Sequence, residues 1–402
     1  MRRSLAVSGS EARGFGISVT LHLGFVLTGI VTTLLGPLLP VLSAKWNLLD
    51  FQAGYLFTSQ FVGSMAGVGL SSVLTPRLGF RRTLALGFAL VAIGLTTLDL
   101  STWMIGLASV FGYGMGLGLT IPTTNLLVAE LYAGRRAAAL NILNFAWGIG
   151  AAGCPALAAL AFRAHHMSVF FFSLVAATAF VVFSIFRNAW IDTKDQPPAV
   201  EAARSGGWRV LPLRLIGVLA VLFFFYVGAE NSLSGWAATY AKRLSLHGGT
   251  VWMLVPSCFW AALLLGRAVA PALLRHLADV TLMVLGLLLA ACGIAVVVGA
   301  STLFEVFLGV TISGLGMASV FPIAIAALSH YLGVTATRVG GAMFALGGLG
   351  GATLPWLVGF LSTKYESLRL GLAVPLVSVL VMIGMQLTGW GFPIGERFSH
   401  EA

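Results

Sequence analysis

Residues 113–122, YGMGLGLTIP, return two hundred positions later as residues 313–322, SGLGMASVFP. The shared points are Gly114 with Gly314, Gly116 with Gly316 and Pro122 with Pro322. In the same register Gly148, Gly150, Ala152 and Pro155 return as Gly348, Gly350, Ala352 and Pro355. Upstream, Gly67, Gly87 and Gly94 return at an offset of 199 as Gly266, Gly286 and Gly293. With 49 glycines some matches arise by chance, but two proline pairs in one register are much harder to produce that way. The chain therefore reads as two copies of one bundle.

Those copies need a particular solvent. Hydrophobic residues make up 58% of the 402, and Asp, Glu, Lys and Arg together only 9%. A soluble globular protein carries roughly 25% charged residues, so this chain is too poor in polar surface for water and reads as a membrane protein. Glycine is frequent where membrane helices pack closely, so its abundance is no sign of disorder. Cys154, Cys258 and Cys292 lie inside apolar runs, which excludes a disulfide scaffold or a CxxC metal site.

A spanning helix needs ~20 mostly apolar residues with every backbone polar group satisfied internally. Twelve such stretches follow one another, roughly 17–42, 51–75, 82–99, 103–129, 138–162, 167–187, 213–240, 250–273, 280–299, 304–328, 338–361 and 369–391. The longest polar interval, residues 188–212, separates the sixth from the seventh. The expected fold class is an all-α membrane protein with twelve transmembrane helices in two pseudo-symmetric six-helix bundles. The bundles are 1–187 and 213–402, and 188–212 is a cytosolic linker. The basic start MRRSLAVSGSEARG leads into an apolar run too long for a signal peptide, so it reads as a retained first helix.

Basic residues set the orientation. One set of alternate spacers holds Arg2, Arg3, Arg13, Arg77, Arg81, Arg82, Arg135, Arg136 and the arginines and lysine around the linker. The other set holds fewer: Lys45, Arg163, Lys242, Arg243, Lys364 and Arg369. That bias places both termini in the cytosol, with the chain multi-pass in the cell (inner) membrane. The net charge of +10 lies in these short spacers, so it reads as orientation and not as a nucleic-acid surface.

Ser72 to Leu84, SVLTPRLGFRRTL, resembles the loop signature of the major facilitator superfamily, with Arg77, Gly79, Arg81 and Arg82 matching and Pro76 in place of the usual acid. Tyr226, Glu230, Asn231, Gly235, Trp236 and Tyr240 in the seventh stretch resemble the fucose-permease-like branch, as do Phe259, Trp260, Gly266 and Arg267 in the eighth. The resemblance implies two bundles that rock about a substrate site near mid-membrane. In that branch a carboxylate stands in the first helix and another in the fourth. Here those segments read GIVTTLLGP (29–37) and LGLTIPTTN (117–125), with no acid in either.

A charge at the bilayer centre costs at least ~2.5–3.5 kcal/mol on insertion scales, so it reads as functional by default. Glu230 lies 17 residues after Leu213, ~25 Å along a helix and past the middle of a ~30 Å core. Tyr226, Glu230 and Ser234 share one helical face. Glu230 is thus the candidate for substrate binding and proton coupling; a permanent hydrogen-bonded brace is the plainer alternative. Arg267, the only arginine or lysine of these stretches that does not lie at an end, is assigned to gating, against snorkelling or a bond to backbone carbonyls.

Asn141 and Asn144 are i, i+3 neighbours, with Trp147 a turn further on. Two amides and an indole suit a sugar, whose hydroxyls they bond and whose apolar face the ring covers; interhelical glue is the alternative. Gln60, Asn125, Asn231, Tyr226 and Trp260 complete the candidate substrate-binding set. Trp236 and Tyr240 read as members of an interfacial aromatic belt. Arg77, Arg81, Glu130 and Arg135 are the other expected gating residues, with Arg136 beside them. His22 reads as packed or interfacial, and His165 with His166 lacks the further ligands of a zinc site. No metal and no cofactor are expected.

The GxG pairs at 114–118 lie inside an apolar run, and no GxxxxGK[ST] motif supplies direct ATP drive. The expected function is non-enzymatic: secondary transport of a small polar solute, first among them a monosaccharide, by a monomer in the lipid bilayer. Proton symport through Glu230 and facilitation both stay open. Efflux of amphipathic drug-like compounds is the alternative within the class, and a non-transporting membrane receptor or scaffold of the same fold the alternative outside it; a lipid flippase is a weaker third.

Overall fold

The computed structural model describes residues 2–100, 102–187, 213–245, 249–333 and 336–398. The expected linker, 188–212, lies outside the described residues. All regular structure among the described residues is helical: α1 (Arg2–Thr33), α2 (Leu35–Trp46), α3 (Asp50–Leu100), α4 (Trp103–Leu131), α5 (Arg136–Arg163), α6 (Met167–Arg187), α7 (Leu213–Leu244), α8 (Val255–Leu273), α9 (Asp279–Gly299), α10 (Leu303–Met317), α11 (Val320–Leu332), α12 (Ala336–Lys364), α13 (Leu368–Gly371) and α14 (Ala373–Leu387).

Eleven helical segments among the described residues are long and apolar enough to cross a membrane. The difference from twelve lies in α3. Its 51 residues would run ~75 Å at 1.5 Å each, more than twice a ~30 Å core. Gly79 interrupts it with φ 79° and ψ 166°, a conformation open almost only to glycine. The chain reverses there: Gly63 packs against Phe111 of α4, and Gly94, on the far limb, against Ser109 and Tyr113 of the same helix. So α3 is two crossings. Conversely, the stretch expected at 304–328 is divided, α10 ending at Met317 and α11 starting at Val320. Pro322 cannot donate to the Ala318 carbonyl, which loosens that joint.

Packing divides the chain into two units, one of Met1–Leu34 with Val62–Pro197 and one of Leu35–Phe61 with Pro198–Ala402. In the first, α1 lies against α5, α4 and α6. In the second, α7 lies against α12, α14 and α2, and α10 against α8 and α9. The sequence repeat reappears as repeated contacts inside each unit. A β-carbon on Gly116 would meet the Gly87 carbonyl oxygen at 2.5 Å, and one on Gly316 the Gly286 carbonyl oxygen at 2.5 Å. Likewise Gly150 is pressed onto the Val26 carbonyl of α1, and Gly350 onto the Phe224 carbonyl of α7. Without a hydrophobic drive between helices in lipid, such close backbone approach is what holds a bundle together.

After α14 the chain folds back over the ends of three helices. The Arg214 guanidinium of α7 donates to the carbonyls of Gly389 and Trp390. Phe392 stacks on Tyr331 of α11, with centroids 5.4 Å apart. The Tyr331 hydroxyl donates to Glu396 Oε1 at 2.5 Å. The Phe398 N–H donates to Asp279 Oδ2 of α9 at 3.1 Å.

Candidate functional site

The second unit brings three of the candidate residues together. Helical spacing puts Glu230 one turn beyond Tyr226 on α7, and the Tyr226 hydroxyl stands 3.0 Å from Glu230 Oε1. The same hydroxyl stands 3.2 Å from the Met317 carbonyl oxygen, which is the last residue of α10 and is available because the helix stops there. Arg267 of α8 places Nη2 3.9 Å from the same Glu230 oxygen. The Glu230 and Arg267 side chains retain 12% and 29% exposure, so the pair is sheltered but not sealed.

A phenol has one proton to give, so Tyr226 serves Glu230 or Met317 at any moment. Phe321 stacks on the Tyr226 ring at 5.4 Å with planes 25° apart, which holds the ring while its proton chooses. Phe223 meets Phe321 at 5.5 Å and Phe344 at 5.6 Å, forming an apolar wall beside the Tyr226 ring. Nearby, Asn231 is turned back on its own helix, with Nδ2 donating to the Val227 carbonyl at 2.8 Å. Trp260 is buried and edge-on to Phe259. Gln60 is also buried in this unit.

In the first unit, Asn144 donates to the Leu140 carbonyl of its own helix at 2.8 Å and is exposed. Spacings of seven and eleven put it on the same face as Ala151 and Pro155, which are buried. Ile142, Ile149 and Leu160 occupy a different, exposed apolar face. The exposure of Asn144 is therefore distinct from the apolar face of α5. Asn141 is exposed and Trp147 half-buried. Asn125 donates to the Ile121 carbonyl of its own helix at 2.9 Å.

Among the gating candidates, Arg81 donates to the Phe186 carbonyl at the end of α6 and sits over the Phe186 ring, 5.0 Å from its centroid. Pro76 offers this loop no carboxylate, and the carbonyl and ring of Phe186 take the guanidinium instead. Arg77 and Arg135 are exposed, and Arg136 donates to the Ala129 carbonyl at 3.2 Å. Glu130 is half-buried.

Trp236 and Tyr240 correct their expected place in an aromatic belt. Both are buried. The Trp236 indole donates to the Pro355 carbonyl at 2.8 Å, and the Tyr240 hydroxyl to the Ala300 carbonyl at 2.9 Å. A buried N–H or O–H must find a partner, and both residues find one on another segment of the second unit. Sequence reasoning missed two further features. The Met317 carbonyl carries only the weak signal of Pro322 beyond it. Asp50, Arg243 and Ser362 meet although Asp50 and Ser362 are 312 positions apart.

The family profile of the Major Facilitator Superfamily matches residues 21–355. The chain belongs to that superfamily and is a multi-pass membrane transporter, not an enzyme. It is 21% identical over 381 residues to the "Glucose/mannose transporter GlcP" of Bacillus subtilis (strain 168), covering 90% of this chain and 92% of that one. It is 24% identical over 393 residues to a "Glucose/galactose transporter" of Brucella abortus, covering 92% and 93%. The crystal structure of FucP, a Major Facilitator Superfamily transporter in the outward conformation, superposes with a TM-score of 0.62 at 16% identity, covering 91% of this chain and 96% of that one.

Proposed function

We propose that this protein carries a monosaccharide across the cell membrane by alternating access, with both termini in the cytosol and Glu230 as the group that exchanges a proton. One observation carries the reading: a carboxylate in the middle of α7 is left 12% exposed between a tyrosine donor and an arginine. Relatives whose names specify glucose, mannose and galactose point to the same class of solute. Sugar hydroxyls both give and accept bonds, which the carboxylate and guanidinium of the second unit can meet and, separately, so can the α5 amides of the first.

Coupling follows from the single Tyr226 proton. With Glu230 ionised, Tyr226 donates to it. With Glu230 protonated, the carboxyl can donate to the Tyr226 oxygen, and the tyrosine turns its proton to Met317. The state of the acid is thereby passed to the joint between α10 and α11. The test is uptake of labelled hexoses into proteoliposomes with and without an inward proton gradient. Gradient-driven accumulation that Glu230→Gln abolishes, with counterflow intact, supports the reading. Accumulation that survives the substitution refutes Glu230 as the coupling group, and absence of hexose uptake refutes the substrate.

The aromatic wall of Phe223, Phe321 and Phe344 favours a second reading, efflux of an amphipathic compound. A thermal-shift screen of sugars against amphiphiles separates the two, because a bound solute stabilises the folded state.

A further inference from the structure

The second unit includes one stretch remote from it in sequence, residues 35–61, which runs on into the first unit at Val62. The directional bonds that tie this stretch to the rest of the unit are densest where α3 begins, with Lys242 donating to the Pro40 carbonyl at 3.4 Å on one side and Thr58 to the Ala352 carbonyl at 2.7 Å on the other. Asp50 Oδ1 lies 2.6 Å from Arg243 Nη2 at the end of α7. Asp50 Oδ2 accepts the Ser362 hydroxyl at 2.5 Å. The Phe51 N–H donates to Thr363 Oγ1 at 2.9 Å, and Thr363 gives its own hydroxyl proton to the Gly359 carbonyl at 3.0 Å. A β-carbon on Gly359 would strike the Asp50 carbonyl.

Gly359, Ser362 and Thr363 are spaced i, i+3, i+4 and share one face of the last turns of α12. Together they cradle the first turn of α3. That turn has N–H groups with no acceptor inside their own helix. Here the acceptor for Phe51 comes from α12, and a carboxylate favoured at a helix N-terminus is satisfied from two other helices. Further along, apolar and polar contact alternate: Phe57 meets Trp236 with centroids 6.2 Å apart, and the next residue, Thr58, donates to the Ala352 carbonyl at 2.7 Å.

We propose that Asp50, held by Ser362 and Arg243, is the latch that keeps residues 35–61 on the second unit, and that the transport cycle breaks and remakes it. Alternating access requires helix ends that part and rejoin. A latch suited to that task uses polar bonds that water can replace. The Arg243 side chain is 46% exposed and the Asp50 side chain 14%, so water takes over both when they separate. Ser362 is 2% exposed, and its bond to a charged acceptor is the better sheltered of the two. Ser362 therefore outweighs Arg243 as a holding contact. The assignment rests on the transporter reading but not on the identity of the solute.

The experiment uses the purified full-length protein in detergent with Ala53→Cys as reporter. Ala53 is 1% exposed and lies one turn from Asp50. Maleimide labelling of that peptide is followed by mass. Asp50→Asn and Ser362→Ala are expected to speed labelling at least about tenfold, as loss of a hydrogen bond to a charged group implies. Arg243→Gln is expected to speed it about threefold, as a half-exposed ion pair implies. Asp50→Glu, which keeps the charge, is expected to lie nearer the parent rate than Asp50→Asn. Ser362→Ala removes only a hydroxyl, so the comparison survives if Asp50→Asn fails to fold. Unchanged labelling in Ser362→Ala and in any folded Asp50→Asn overturns the latch. A failed hexose assay leaves the labelling result standing, so the two readings fail separately.

Discussion

Gly150 of α5 and Gly350 of α12 are pressed onto a neighbouring helix in the same way, the first onto the Val26 carbonyl and the second onto the Phe224 carbonyl. A side chain at either position has nowhere to go but into backbone. Gly150→Ala and Gly350→Ala are each expected to lower stability by ~1–3 kcal/mol, the usual range for overpacking. Gly153, on the same helix α5, has nothing within 4 Å of its virtual β-carbon. Gly153→Ala is expected to be neutral or to stabilise by up to ~1 kcal/mol, since alanine is the better helix former. Thermal unfolding of the three variants in one detergent reads the contrast, and equal melting temperatures would refute the packing argument.

The reversal at Gly79 makes a second case. With φ at 79° and ψ at 166°, an alanine there is strained by ~1–3 kcal/mol. Gly79→Ala is expected to melt earlier by that amount, whereas Leu78→Ala, at an exposed neighbour, is expected to be nearly silent. Matching losses from both changes would mean that the turn tolerates a side chain.

For the carboxylate cluster, a double-mutant cycle is decisive. Arg267 Nη2 is 3.9 Å from Glu230 Oε1, and the arginine is 29% exposed. Arg267→Gln and Glu230→Gln are each expected to destabilise, and the double variant to recover ~1 kcal/mol relative to their sum, a figure kept low because of that exposure. Strict additivity in thermal unfolding would show that the two groups do not sense each other.

Tyr226→Phe keeps the ring that stacks on Phe321 and deletes only the hydroxyl. Glu230 Oε1 and the Met317 carbonyl then lose their shared donor, at ~1–3 kcal/mol. Proton-driven uptake is expected to fall while downhill exchange persists, because the joint no longer senses the acid. Full retention of gradient-driven uptake in proteoliposomes would remove Tyr226 from the coupling route.

Asn144 is exposed and bonded only to its own helix among the described contacts. Asn144→Ala is expected to leave the melting temperature within error and to raise the hexose KM about two- to tenfold, the worth of one hydrogen bond. An unchanged KM would remove this amide from the sugar site.

The apolar runs made the helices readable, because a membrane forces each spanning segment to declare itself by length and composition. The Gly and Pro repeat made the duplicated packing readable, since the same close approaches recur at Gly116 and Gly316. Tyr226 with Glu230 was readable because four residues make one helical turn. Trp236 and Tyr240 were not: residue type suggests an interface, and only tertiary structure supplies the Pro355 and Ala300 carbonyls that let them be buried. Asp50 escaped for a related reason. Its partners lie in two other spacers, and nothing local to any of the three marks the meeting.

The fold-back after α14 ties together helices that are far apart in sequence. Arg214 of α7, Tyr331 of α11 and Asp279 of α9 are all bonded to the one segment from Gly389 to Phe398. That segment acts as a strap, and a reporter protein inserted between Gly389 and Phe398 would disturb three helices at once.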